Sequence, residues 1–311
     1  MLKVAYIFPG QGAQYVGMGA DFYTASTCAK KTFEQANSVL GFDLAKLIFE
    51  GPSEQLTSTI NCQVAVFTAS VASLRSLQES KPAIAVSYTA GLSLGEYTAL
   101  VAAGALDFTQ ALKLVQMRAQ YMEEAAKANP GGMVSLIGLS LDKAKEICQQ
   151  AEVEIANLNC PGQIVISGHL ANLEQAKELA QGCGVKRIIP LKVSGAFHSS
   201  LMESAKQKLD LALEKQEIQT PEIPVISNVT AKEESSPQEI KHNLAEQVAS
   251  GTYWEDSIRY ISAQGIKHFL EIGPGKVLKG LLRRIDSELV VDNIETIGDL
   301  EKFGKEQAKC C

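Results

Sequence analysis

A serine between glycines is the clearest chemical signal in the chain. The segment Gly91-Leu92-Ser93-Leu94-Gly95 follows a strand-like run from Ile84 to Tyr88, and a helical segment begins near Glu96. A strand, a G-x-S-x-G turn and a helix form a nucleophile elbow, which exposes the serine hydroxyl on a sharp turn. The pattern predicts that Ser93 is a nucleophile. The alternative is a glycine-rich turn whose serine caps the helix.

A second glycine-rich segment, Phe8-Pro9-Gly10-Gln11-Gly12-Ala13-Gln14, follows the first predicted strand. It lacks the Lys-Ser/Thr of a P-loop and matches G-x-G-x-x-G only in part. Acyl transfer requires two N–H donors around the tetrahedral oxyanion. In an elbow the residue after the serine, here Leu94, supplies one donor. We expect the loop around Gln11 to supply the other.

Composition excludes several other classes of protein. The chain has 311 residues, 46% of them hydrophobic, and a net charge of −6. The acidic balance argues against a nucleic-acid partner, and no apolar run is long enough for a membrane span. The segment Met1–Phe8 is interpreted as a first strand and not as a signal peptide. Five of the seven cysteines are scattered without metal-ligand spacing and indicate reduced thiols in a cytoplasmic protein without a metal site. The terminal pair Cys310 and Cys311 is interpreted as part of a polar, solvated tail, with lipidation or reactivity as the alternative.

Alternation of short apolar runs with helical patterns predicts an α/β fold. One stretch has the order β-α-β-β-α-β, the ferredoxin-like motif. We therefore expect a large catalytic part, residues 1–122 and 194–311, that carries a small ferredoxin-like insert, residues 123–193. Within the insert the predicted elements are strand 133–139, helix 141–151, strands 153–158 and 163–167, helix 171–182 and strand 185–193.

Five sequence blocks, in this order, resemble the malonyl-CoA:acyl carrier protein transacylases, and the resemblance covers nearly the whole chain. The family is identified by GQG and GHSLGE motifs and by three later blocks. Its fold implies an α/β-hydrolase-like core with a parallel sheet. The matching residues are Gly10–Gln14, Gly91–Glu96, Pro161–Gly168, Gly195–Ser199 and Glu271–Lys276.

The resemblance implies roles for individual residues. Ser93 is the nucleophile, His198 is its base, and the main-chain carbonyl of Gln247 orients the histidine. Because that role uses only the main chain, Gln247→Ala is expected to cost much less activity than His198→Ala. Two departures are visible. Leu92 replaces the histidine that usually precedes the nucleophile, and Ala119 stands where glycine commonly follows the arginine.

The same resemblance assigns the remaining site residues. The N–H groups of Gln11 and Leu94 form the oxyanion hole, and Arg118 binds the free carboxylate of the malonyl group. Phe197, before the base, suggests a pocket closed to a branched acyl group.

The implied activity is that of an acyltransferase, an [acyl-carrier-protein] S-malonyltransferase that supplies fatty acid synthesis. A ping-pong reaction moves malonyl from malonyl-CoA to an acyl carrier protein, without a cofactor. Basic islands at residues 186–187, 192, 276–279 and 283–284 offer complementary charge to an acidic carrier, and the sequence does not distinguish among them. Two other classes stay open, a serine hydrolase such as a thioesterase and a non-catalytic subunit that binds the carrier.

Overall fold

Two β-sheets and the helices packed on them form the framework of the computed structural model, which describes residues 2–80 and 82–308. Cys310 and Cys311 therefore lie outside the described residues. The strands are β1 Leu2–Phe8, β2 Ile84–Gly91, β3 Gly131–Ile137, β4 Glu154–Cys160, β5 Gln163–His169, β6 Arg187–Pro190, β7 Val225–Ile226, β8 Glu233–Glu234, β9 His268–Ile272 and β10 Val290–Ile294.

The helices separate the strands along most of the chain, which confirms the predicted α/β fold. A short 3-10 turn lies at Ser200–Met202. The helices are α1 Ala20–Ala25, α2 Thr27–Leu40, α3 Leu44–Glu50, α4 Ser53–Thr57, α5 Thr59–Glu79, α6 Gly95–Ala102, α7 Phe108–Ala128, α8 Leu141–Ala151, α9 Leu170–Gly182, α10 Glu203–Glu214, α11 Pro237–Ala249, α12 Trp254–Ala263, α13 Val277–Ile285 and α14 Ile297–Ala308.

The large sheet has six strands in the order β10-β9-β1-β2-β7-β8. All neighbours are parallel except β7 and β8 at one edge, which are antiparallel. A parallel sheet is covered by helices on both faces, so its central strands are apolar throughout. β1 shows this directly, because its last five residues, 4–8, are all buried.

The register of β1 and β2 places the two glycine-rich loops side by side. Phe8 is opposite Gly91 in the parallel pair, and the amide of Leu92 donates to the main-chain oxygen of Phe8 over 3.1 Å. Both strands therefore end at the same edge of the sheet. The carboxyl edge of a parallel sheet is where α/β proteins bind ligands.

The small sheet has four antiparallel strands in the order β4-β5-β3-β6. Its elements follow the predicted order, and α8 has the predicted bounds. The last strand is shorter than predicted and covers only Arg187–Pro190. The amides of Lys186 and Leu191, just outside these bounds, also bond to β3.

Two long helices bring distant side chains to the sheet edge. Asp107 caps α7 by accepting from the amides of Thr109 and Gln110, and Ser236 caps α11 before Pro237 in its first turn. Both are strong N-terminal signals. α7 carries Arg118 and continues to Ala128, so the expected boundary after residue 122 lies inside a helix.

Candidate active site

Ser93 lies on a sharp turn between β2 and α6. Its φ of 51° is in the left-handed region, which is uncommon for residues other than glycine. A Cβ at Gly91 would collide with the main chain of Gly95, and one at Gly95 would collide with Phe8. The two glycines thus let the strand, the turn and the helix pack closely enough to expose the serine hydroxyl. This arrangement is the predicted elbow.

The base candidate, His198, is in hydrogen-bond contact with the serine. Oγ of Ser93 lies 2.9 Å from Nε2 of His198, and Nδ1 lies 2.7 Å from the main-chain oxygen of Gln247. Because a carbonyl oxygen only accepts, Nδ1 carries the proton and Nε2 is free to accept one from the serine. The imidazole is therefore oriented by a main-chain group.

Burial and charge both keep the imidazole of His198 neutral. The side chain is 5% exposed. Desolvation, and after it the nearby charge of Arg118, lower the pKa of His198 to about 4. A histidine normally titrates near 6.5. At neutral pH the ring is accordingly present as the free base.

Arg118 is buried beside the nucleophile. Nη2 donates to Oγ of Ser93 and to Oε1 of Gln247, both over 2.9 Å, and Nη1 donates to Oε1 of Gln63 over 2.6 Å. Only 1% of the residue is exposed, and desolvation lowers the pKa of the guanidinium. All three acceptors are neutral, so this cation makes no direct bond to a carboxylate through these arms.

Both main-chain polar groups of Ser93 are held by side chains. The amide donates to Oδ1 of Asn228 over 2.6 Å, and the carbonyl accepts from Nε2 of Gln247 over 3.0 Å. The side chain of Gln247, for which the sequence provided no role, thus contacts both the nucleophile and Arg118. Asn228 and Gln63 were missed because they lie far from Ser93 in sequence and carry no local pattern.

The two expected oxyanion donors lie on either side of the serine. Gln11 follows β1 and lines the cavity, while Leu94 follows Ser93 directly. Within residues 2–80 and 82–308, neither amide donates to a protein acceptor. The amide of Ser93 is already bound to Asn228. Both expected amides therefore remain available to a bound oxyanion.

A cavity of about 260 Å³ lies between the large and small sheets. Ser93, His198 and Arg118 share it with apolar side chains that include Met122 and Phe197. The full lining is Gly10, Gln11, Leu92, Ser93, Arg118, Met122, Met133, Ser135, Asn157, Asn159, Gln163, Val165, Leu191, Val193, Phe197, His198, Val277 and Leu281.

A metal centre and a membrane-spanning helix are two alternatives for residues 2–80 and 82–308. There, no group of three or more His, Cys, Asp or Glu side chains is placed to hold a metal ion. None of the helices in the same residues has both the length and the apolar character needed to cross a membrane.

An elbow serine bonded to a histidine, with free amides beside it, defines a serine-dependent acyl-transfer site. The model of the acyl transferase domain family matches residues 5–302, and the chain belongs to that family. This confirms the resemblance drawn from the motifs.

Named relatives cover nearly the whole chain. It is 45% identical to the malonyl CoA-acyl carrier protein transacylase of Bacillus subtilis (strain 168), covering 96% of each chain. It is 40% identical to the Staphylococcus aureus (strain MRSA252) protein of that name, covering 98% of this chain and 99% of that one.

Solved structures of similar proteins have the same fold. An acyl carrier protein S-malonyltransferase from Vibrio cholerae superposes with a TM-score of 0.93 at 41% identity, covering 96% of this chain and 99% of that one. The structure of a type II PKS acyl-carrier protein in complex with its malonyl-transacylase contains a chain that superposes with a TM-score of 0.95. The two chains are 40% identical, and the match covers 98% of this chain and 100% of that one.

Proposed function

We propose that this protein transfers a malonyl group from malonyl-CoA to the phosphopantetheine thiol of an acyl carrier protein. The observation that carries the proposal is the buried guanidinium of Arg118, which bonds only neutral acceptors and lies 2.9 Å from Oγ of Ser93. Burying a cation whose hydrogen bonds go to neutral groups is costly. An acyl group that ends in a carboxylate offsets that cost, and the names of the relatives support this substrate.

In the first half-reaction Nε2 of His198 takes the proton of Ser93, and Oγ attacks the carbonyl carbon of the malonyl thioester. The new C–O bond makes a tetrahedral oxyanion. Its collapse breaks the C–S bond, and the coenzyme A thiolate leaves with the proton from His198. Because burial holds the imidazole as the free base, the site is ready to accept the serine proton at neutral pH.

The amides of Gln11 and Leu94 are proposed to bind the oxyanion. Both are unclaimed by described protein acceptors, and preorganised N–H donors stabilise such an intermediate strongly. The amide of Ser93 already donates to Asn228, so it is not available to the oxyanion. The oxyanion hole therefore uses one donor from each glycine-rich loop.

In the second half-reaction the carrier's phosphopantetheine thiol gives its proton to His198, and the thiolate attacks the malonyl ester on Ser93. The serine leaves with the proton from the histidine, which restores the enzyme. Proton transfer and a serine nucleophile account for every bond change, so we propose no cofactor and no metal. Phe197, buried in the cavity wall, is proposed to exclude a branch on the acyl group.

We further propose that the large sheet with its helices is an α/β-hydrolase-like core formed by residues 1–122 and 194–311, and that α7 continues across the first boundary to Ala128. The small sheet order β4-β5-β3-β6 supports a ferredoxin-like subdomain in residues 123–193. The five cysteines in the described residues are free, which supports a reducing compartment such as the cytoplasm.

The experiment is an assay of transfer to the carrier. The protein is mixed with malonyl-CoA and a carrier protein that bears its phosphopantetheine, and the mass of the carrier is measured. A carrier without the arm serves as the control. We expect the malonyl mass only on the carrier with the arm. Release of free malonate without transfer would instead identify a thioesterase and overturn the proposal.

A further inference from the structure

A carboxyl group buried behind the nucleophile has no part in the chemistry above. We propose that this residue, Glu96, is a positioning residue that acts on the nucleophile and the guanidinium through Asn228 and Gln247. The proposal rests on the proposed function insofar as the guanidinium binds a malonyl carboxylate.

One oxygen of Glu96 holds both intermediary residues. Oε2 accepts from the amide of Asn228 and from Nε2 of Gln247, each over 2.9 Å. The residue is the second of α6 and is 0% exposed. Burying a carboxyl group is costly unless its hydrogen bonds compensate, and these two bonds lead directly to the site.

Through Asn228, Glu96 secures the amide side of the elbow. Oδ1 of Asn228 accepts from the amide of Ser93 over 2.6 Å, and Nδ2 donates to the main-chain oxygen of Gly91 over 2.7 Å. Asn228 thus ties together the end of β2 and the serine. A left-handed conformation at a residue with a side chain persists only where its surroundings enforce it, and this clamp is one such constraint.

Glu96 also determines the orientation of the side-chain amide of Gln247. Nε2 donates to Glu96 and to the main-chain oxygen of Ser93, which leaves Oε1 to accept from Nη2 of Arg118. The two ends of a glutamine amide have almost the same shape. Reversed, the amide would present N–H groups to the guanidinium. The acceptor oxygen of Glu96 therefore keeps Gln247 in the orientation that holds Arg118.

For this role the position of the acceptor oxygen Oε2 matters, and the charge of Glu96 does not. Desolvation raises the pKa of Glu96 to about 7, so the group is partly protonated near neutral pH, while Oε2 can accept in either state. A glutamine at this position keeps a carbonyl oxygen at the same distance from the main chain. An aspartate keeps the charge but withdraws the oxygen by about one C–C bond.

The test compares E96Q with E96D, which separate geometry from charge. Glu234 provides the control E234D, because its carboxyl group is also buried and lies near enough to Glu96 for their charges to interact, but it bonds to Asn243 and not to Asn228 or Gln247. Each protein is confirmed as folded by thermal unfolding. The values of kcat and KM are then measured with malonyl-CoA and acetyl-CoA, and acylation of Ser93 by p-nitrophenyl acetate is measured beside them.

We expect E96D to lower kcat with malonyl-CoA by about tenfold or more and to lower the malonyl-to-acetyl ratio. E96Q should recover most of that loss, and E234D should stay within about threefold of the wild type. Equal losses in E96Q and E96D, or a loss in E234D as large as in E96D, would overturn the proposal. If the wild type fails with malonyl-CoA, the proposed function is what fails, while the ester still reports whether Glu96 positions Ser93.

Discussion

The guanidinium of Arg118 donates to Oγ of Ser93 across 2.9 Å, so the cation contacts the oxygen that also bonds to His198. A charge this close to the reacting atom can bind the free end of a short acyl group. It cannot do so for a long one, because the carboxylate would lie too far from the serine. The geometry thus favours a dicarboxylic acyl group of malonyl size.

Replacing Arg118 with alanine tests this substrate choice. Truncating one partner of a buried charge pair typically costs about 2–5 kcal/mol, so malonyl transfer should fall by roughly two orders of magnitude or more. Acetyl has no carboxylate and should transfer at an unchanged or higher rate. The ratio of the two rates, measured with one carrier protein, is the quantity to follow. A parallel fall of both rates would show that Arg118 is only structural.

The Gln247 side chain is predicted to matter more than its main-chain role implies. Gln247→Ala leaves the carbonyl that orients His198 but removes the bonds to Arg118, Ser93 and Glu96. We expect a loss of about tenfold to a hundredfold in kcat/KM for malonyl-CoA, still smaller than for His198→Ala.

The neighbouring residue on α11 provides the control for that variant. Glu246 forms a surface ion pair with Lys206, and such pairs contribute little. Glu246→Ala should therefore stay within about twofold of the wild type. Steady-state kinetics of Gln247→Ala, Glu246→Ala and His198→Ala test this prediction. If Gln247→Ala is as active as Glu246→Ala, the side chain of Gln247 has no role in the reaction.

The pH dependence of serine acylation should reveal the buried base. The pKa of His198 is lowered to about 4 in the folded protein, so the imidazole stays neutral and active well below the usual value of 6.5. The value of kcat/KM for malonyl-CoA should therefore stay nearly constant from neutral pH down toward pH 5. An acid limb centred near 6.5 would contradict the assignment.

The same shift makes a prediction about stability. An unfolded histidine takes up a proton as the pH falls through 6.5, whereas folded His198 does so only near 4. The unfolded state therefore binds more protons between these values, and the contribution of this group to stability falls as the pH is lowered through that window. Thermal unfolding of wild type and His198→Ala across the window measures it, and the wild type should lose more stability.

The sequence predicts local features of both the fold and the site well. The elbow at Ser93 and helix Leu141–Ala151 are each determined by a continuous run of residues, so they are visible without the fold. The hydrogen bond between Asn228 and Ser93 joins residues that are 135 positions apart in the sequence. It depends on the pairing of β2 with β7, which no local sequence pattern reveals. The side-chain role of Gln247 was hidden for the same reason, because its partners come from two other segments, the elbow with the start of α6 and the middle of α7.

The most direct measurement is the intact mass of the protein after addition of malonyl-CoA alone. We predict a single malonyl adduct on Ser93 that persists until a thiol acceptor is added and then disappears. Ser93→Ala should stay folded and gain no mass. An adduct on the alanine variant, or an adduct on the wild type that water removes as fast as it forms, would contradict acyl transfer through Ser93.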